Sequence, residues 1–203
     1  MISLLIILIT AVISIVALND QSIFDKLKFN AYDIKHHREG YRFFTHAFVH
    51  VDWMHLMVNM YVLWMFSDVV LTFFSYYFGY KAAYYFILLY VGGIFFSSIF
   101  DFIKQKDNIN YNSVGASGAV ASVVFASIIL HPGASIYLFF IPIGIPAALF
   151  GLGYLIYSAI MARKANDHIG HNAHFWGSIF GIIYTIIINP GFFMRFIHEI
   201  FPK

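Results

Sequence analysis

The chain has 203 residues, 61% of them hydrophobic and only 11% charged, with a mean hydropathy of +0.76. Soluble domains carry about 25% charged residues, so this composition excludes an ordinary soluble enzyme and reads as an integral membrane protein. A net charge of +2 is too small to suggest a nucleic-acid partner, and the absence of cysteine excludes disulfides, a thiol nucleophile and thiolate metal sites.

Ile2–Leu18 is free of charge and about long enough to span a bilayer. It is read as a retained helix, because no Lys or Arg precedes Gln21 as the basic region of a signal peptide would. Asn19–Asp52 is the longest polar stretch. It mixes Lys26, Lys28, Lys35, Arg38 and Arg42 with Asp20, Asp25, Asp33, Glu39 and Asp52, and apolar residues such as Ile23, Leu27, Phe29 and Tyr32 recur among them. That pattern predicts a structured loop resting on the membrane surface. Further spans are expected over Trp53–Phe74, Ala82–Phe100, Val114–Leu130, Ser135–Ala162 and Ala173–Ile188. The fifth carries Pro142, Gly144 and Pro146 in its first half, where a helix kink is expected. The expectation is thus an all-α bundle of six transmembrane helices, one domain over 1–203 with a short tail at 189–203.

Six alternating spans place the starts of the second, fourth and sixth on one side of the membrane. The second opens with His46, His50, His55 and Asn59, the fourth with Ser117, and the sixth with His171 and His174. Polar groups inside spans are costly and are functional candidates by default. His55 and Asn59 share a helix face at i, i+4, as do His174, Gly177 and Gly181 at i, i+3, i+7. Gly177 and Gly181 form a small-xxx-small surface, and Gly118, Ala121 and Ser122 offer a matching one, so close packing would bring Ser117 to His174. A serine hydroxyl needs a base beside it to act as a nucleophile, and a donor must face the oxyanion that forms. Ser117 lies between glycines in Gly115-Ala116-Ser117-Gly118, His174 is the candidate base, and the Asn59 amide, the His55 ring and the Ser117 N–H are the candidate donors. No carboxylate is expected at this depth, since Asp68 lies about 13 Å further along the helix axis than Asn59. The constellation reads as a Ser–His dyad.

These residues resemble the rhomboid family of intramembrane serine proteases, of the six-span bacterial type. Glu39-Gly40-Tyr41-Arg42 with Phe43-Phe44-Thr45-His46 is similar to the family's first-loop signature, with Tyr41 where Trp is common. His50-x-x-x-x-His55-x-x-x-Asn59, Gly115-Ala116-Ser117-Gly118 and Ala173-His174-x-x-Gly177-x-x-x-Gly181 are similar to its helix motifs. The resemblance implies a peptide-bond hydrolase acting on transmembrane protein substrates within the lipid bilayer, without metal or other cofactor. Ser117 would be the nucleophile, His174 the general base, and His55, Asn59 and the Ser117 amide the oxyanion hole. It also implies a mobile fifth helix, a bacterial inner or plasma membrane, an N-terminus in the cytoplasm and a site facing outward. Two positions depart from the family's pattern. Ala121 stands where a tyrosine often stacks on the catalytic histidine, and Leu71 where an acid is common.

Other readings stand beside these. The loops on the site side carry Lys26, Lys28, Lys35, Arg38, Arg42, Lys104, Lys106, Arg163 and Lys164, against Lys81, Arg195 and Lys203 opposite, so the positive-inside rule alone favours the reverse orientation. His46 and His50 read as structural, His36 and His37 as solvated. His168, His171 and His174 lack the H-E-x-x-H arrangement of zinc peptidases. A catalytically silent, client-binding relative is the alternative function, and a small transporter is a third. Substrate identity and oligomeric state are left open.

Overall fold

The structure is a computed structural model and describes residues 1–137, 142–164 and 170–201. It is an all-α membrane bundle. Helix α1 spans Ile2–Asn19, with Ser3, Thr10, Ser14 and Ala17 on its single buried face. The first loop is indeed structured: α2 (Gln21–Leu27), a two-residue strand β1 (Phe29–Asn30), α3 (Ala31–His36), α4 (Arg42–Thr45) and a 3₁₀ turn at His46–Phe48. Its knot is Arg42. The buried guanidinium donates to the carbonyls of Asp25 and Lys28 at 2.8 Å and pairs with Glu39 and Asp33. The Arg42 side chain beside Glu39 holds that carboxyl below its usual range. Strand β1 pairs antiparallel with β2 (Asn112–Ser113), which ties this loop to the segment just before Ser117.

Helices α5 (Trp53–Phe78) and α6 (Ala82–Gln105) follow, separated by a 3₁₀ turn. Among the described residues, α1 and the apolar run containing α5 and α6 are, by length and composition, the two stretches able to cross a membrane on their own. Helix α7 (Ser117–Leu130) is the axis of the bundle, and every residue from Gly118 to Leu130 is buried. Its 14 residues reach only about 21 Å against a hydrocarbon core of about 30 Å. A helix this short is viable because protein, not lipid, surrounds it. Its small residues permit the enclosure. Gly93 of α6 faces the Ser122 side chain, with room for a Cβ denied 3.0 Å from the Ala119 Cα.

One expected segment differs from what the structure contains. The fifth span, expected from Ser135, is helical among the described residues from Ala147, where α8 (Ala147–Lys164) begins. Before it, β3 (Ser135–Ile136) and β4 (Ile145–Pro146) pair antiparallel, and Leu138–Ile141 lie outside the described residues. Pro142 and Pro146 lack the N–H that a continued helix requires, and among the described residues an antiparallel strand pair stands where the start of the kinked helix was expected. The first N–H groups of α8, which no helix can satisfy internally, bond the carbonyls of Ala134 (Ala147, 2.8 Å) and Pro132 (Ala148, 3.1 Å). The short tail carries a helix of its own. After α9 (His171–Ile188) the chain turns by 112° at Asn189–Pro190 into α10 (Gly191–Ile200). Phe192 of α10 is fully buried against Tyr77 and Phe78, and Glu199 pairs with His131 at 2.9 Å.

Candidate functional site

Ser117 is the first residue of α7, so its backbone N–H is among those without an intrahelical acceptor. The turn that delivers it is pinned from the first loop. Gly115 N–H donates to the His46 carbonyl at 2.9 Å, and Ala116 N–H donates to His50 Nε2 at 3.3 Å. Gly115 has φ +109°, a conformation that side chains strongly disfavour. A Cβ there would also lie 2.6 Å from the His55 ring, so both backbone and space demand glycine.

The acceptor role of His50 fixes its tautomer. Nε2 receives the Ala116 N–H, so the ring proton sits on Nδ1, 2.8 Å from Ser14 Oγ, and that hydroxyl donates onward to the Phe48 carbonyl at 2.7 Å. The expected structural role of His50 is therefore specific: its ring holds the residue before Ser117, while His46 contributes its backbone carbonyl to Gly115. Burial, with His55 nearby, pushes the His50 imidazole down to about 3. A histidine kept neutral by folding contributes stability fully above the ordinary value near 6.5, and that contribution is lost as pH falls from there toward about 3. Acid unfolding is accordingly expected to begin below about pH 6.5 in wild type. His50→Ala should unfold at lower temperature at neutral pH, since it strands a buried N–H at a cost of about 1–3 kcal/mol. Thermal melts across pH check both; an unchanged melting temperature at neutral pH would refute the role of His50.

Asp52 caps α5, its Oδ1 accepting the His55 N–H at 2.7 Å, and this sets the start of the helix that carries the next pair. Asn59 is buried one turn below His55 and donates one amide hydrogen to the His55 carbonyl at 2.8 Å, and among the described residues the second hydrogen has no partner. The His55 ring packs edge-on to His50, with centroids 4.9 Å apart.

From the opposite wall comes His174, in the first turn of α9, its N–H bonded to the Gly170 carbonyl at 3.0 Å. The predicted small-residue seam exists between α7 and α9, with one change of register. Gly177 abuts the backbone of Gly118 and Gly181 that of Ser122, while Ala121 turns away and lines a cavity instead. That cavity, about 1400 Å³, is where Ser117, His174, His55 and Asn59 converge. It continues between α5 and α8 past Val58, Met65, Val124 and Phe150 to His131 and Ser135 at the far ends of α7 and the hairpin. Among the described residues no hydrogen bond joins Ser117 to His174. Catalytic hydrogen bonds are often long without substrate and shorten when it binds.

Three residues that sequence reasoning missed belong to this neighbourhood. Tyr154 of α8 stacks on His174 with ring centroids 6.3 Å apart and planes at 28°. Ser14 orients His50 as described; its place with Thr10 on one face of an apolar helix was the available signal. Asp101, near the end of α6, is buried and accepts a hydrogen bond from Asn172, two residues before His174. A buried carboxylate therefore meets the start of α9, although it bonds Asn172 rather than His174. Of the candidate metal trio, His168 lies outside the described residues. Among the described ones no group of three or more His, Asp or Glu is arranged to hold a metal ion.

The geometry defines a membrane-embedded bundle with a serine and a histidine at two facing helix starts. Residues 37–191 match the Rhomboid domain family, and the chain belongs to that family. It is 30% identical over 165 residues to "RHOMBOID-like protein 12, mitochondrial" of Arabidopsis thaliana, covering 73% of this chain and 46% of the relative. It is 28% identical over 144 residues to "Presenilin-associated rhomboid-like protein, mitochondrial" of Mus musculus, covering 68% of this chain and 35% of the relative. The human protein of that name matches at 28% over 145 residues, with the same coverage. The chain thus matches less than half the length of these curated relatives.

Proposed function

We propose that this protein is an intramembrane serine endopeptidase that cleaves transmembrane segments of other proteins. The supporting observation is the convergence of Ser117, His174, His55 and Asn59 on one cavity open between α5 and α8. In this reading Ser117 Oγ attacks the scissile carbonyl carbon while its proton passes to His174. The oxyanion is met by the Ser117 N–H, the free Asn59 amide hydrogen and the His55 ring. Collapse breaks the C–N bond, and the proton on His174 passes to the leaving amine. Water, deprotonated by the same histidine, then attacks the acyl carbon; the bond to Ser117 Oγ breaks and the proton on His174 returns to that oxygen. No cofactor enters any step. A cavity lined largely by apolar side chains along its length suits the side chains of a transmembrane segment, and the short α7 sets the reacting groups below the membrane surface. The whole chain, 1–203, acts as one rhomboid-type domain. Its home is a bacterial inner or plasma membrane, a proposal to be weighed against the mitochondrial location in the relatives' names.

A fluorophosphonate probe added to the purified protein in detergent should label it covalently at Ser117, and Ser117→Ala should not be labelled. Equal labelling of both would overturn the nucleophile. A folded wild type that binds a transmembrane peptide but is neither labelled nor active would support the alternative, a client-binding rhomboid-like protein that does not cut.

A further inference from the structure

We propose that Tyr154, presented by α8, is the positioning residue that holds the His174 ring, so that the orientation of the base is set by a helix that buries a single stripe of its residues. This rests on the reading of His174 as the base. The argument starts from what surrounds that ring. His174 is on α9, and its ring meets His171 edge-on at 6.1 Å and the face of Tyr154 at 6.3 Å. The nucleophile's own helix supplies no ring there. Ala121, one turn below Ser117 on the same face, ends in a methyl group that lines the cavity. The space above that methyl is where a ring from elsewhere can enter. Tyr154 comes with two supports. Phe150, one turn before it, stacks on it at 5.9 Å and 29°, and Phe125 of α7 packs at 5.9 Å. Gly151 brings α8 close enough for the reach: a Cβ there would meet Ile128 at 3.0 Å and Phe125 at 3.3 Å.

The helix carrying this tyrosine is weakly held. Only Ala147, Gly151 and Ser158 of α8 are buried, a single stripe, while Leu149, Leu152, Ile156, Tyr157 and Ile160 face outward. α8 also forms one wall of the cavity whose other wall is α5. A displacement of α8 that widens the cavity therefore carries Tyr154 off His174. The base is supported when α8 is seated and loses its support when α8 swings out. Such a coupling would restrain the dyad from reacting until α8 has closed on a bound segment.

The test compares Tyr154→Phe, Tyr154→Leu and Tyr154→Leu combined with Ala121→Tyr, each against wild type. Readouts are kcat and KM on a model transmembrane substrate and the rate of fluorophosphonate labelling at Ser117. Phenylalanine keeps the flat ring and should keep most of kcat. Leucine keeps bulk for folding but no ring face; kcat and labelling rate should fall on the order of 10²-fold, the usual cost of a misplaced reacting group, with KM little changed. Tyrosine at 121 should restore much of the loss, because it returns a ring to His174 without rebuilding the α8 contact. A labelled wild type with an equally fast Tyr154→Leu variant overturns the assignment to Tyr154 alone. So does a Tyr154→Leu defect that Ala121→Tyr leaves untouched while all variants melt alike, since the loss would then belong to α8 packing. A wild type that is not labelled at Ser117 brings down the proteolytic reading, and this assignment with it.

Discussion

His174→Ala is expected to reduce cleavage of a transmembrane substrate by on the order of 10⁶-fold, the scale seen when one member of a serine–base unit is removed. The reason lies in how little else is available to take the proton. Of the other bases near the dyad, His55 lies across the site against Gly115, and Asp101 stands outside the cavity lining and is occupied by Asn172. The Ser117→Ala, His174→Ala double variant should be no worse than either single one, because two residues acting as a unit fail together. Asn59→Ala is a milder lesion. It removes one oxyanion donor, at about 10²–10³ in rate, and leaves the Ser117 N–H in place. Cleavage assays in reconstituted vesicles, on variants shown to melt as wild type does, provide the measurement. A folded His174→Ala protein with near wild-type turnover would eliminate the dyad.

The parts of this site that could be read from the sequence are those written as spacing. His55 with Asn59 at i, i+4, and Gly177 with Gly181 behind His174, appear in the structure on the faces their periodicity assigns. The same is true of the nucleophile turn, because Gly115 is needed both for its φ of +109° and for the closeness of His55. What spacing does not carry is a partner from another helix. Tyr154 is one of 14 tyrosines, and nothing local distinguishes it from Tyr157 one turn on. Ser14 and Asp101 act through contacts with residues 36 and 71 positions away. The hairpin before α8 was hidden for a different reason. Its residues are as apolar as a span, and hydropathy cannot separate a short β pair from a kinked helix. The prolines carried that information, and they fit both readings.

Gly177→Ala is expected to destabilise the protein although alanine is the better helix former. In an exposed helix the change would gain about 1 kcal/mol. Here a Cβ on Gly177 would sit 2.8 Å from the Gly118 carbonyl carbon and closer still to its oxygen; on Gly181 it would sit 2.8 Å from both the Ser122 carbonyl carbon and its Cα. These are backbone atoms, so no rotamer change relieves the overlap, and α7 and α9 must move apart. Overpacking of this kind costs about 1–3 kcal/mol or more and outweighs the propensity gain. The pair together, Gly177→Ala with Gly181→Ala, wedges the seam at two successive turns and should prevent accumulation of folded protein. Activity should fall further than stability in the single variant. Gly118 adjoins Ser117 and Gly177 is one turn from His174, so a wedge at this point separates the two reacting groups directly. Gly153 is the control: a Cβ there meets nothing within 4 Å, and Gly153→Ala should leave activity intact and raise the melting temperature slightly. Thermal unfolding in detergent beside initial cleavage rates decides the matter, and a Gly177→Ala protein as stable and as active as Gly153→Ala would show that the seam between α7 and α9 is not what sets the distance between Ser117 and His174.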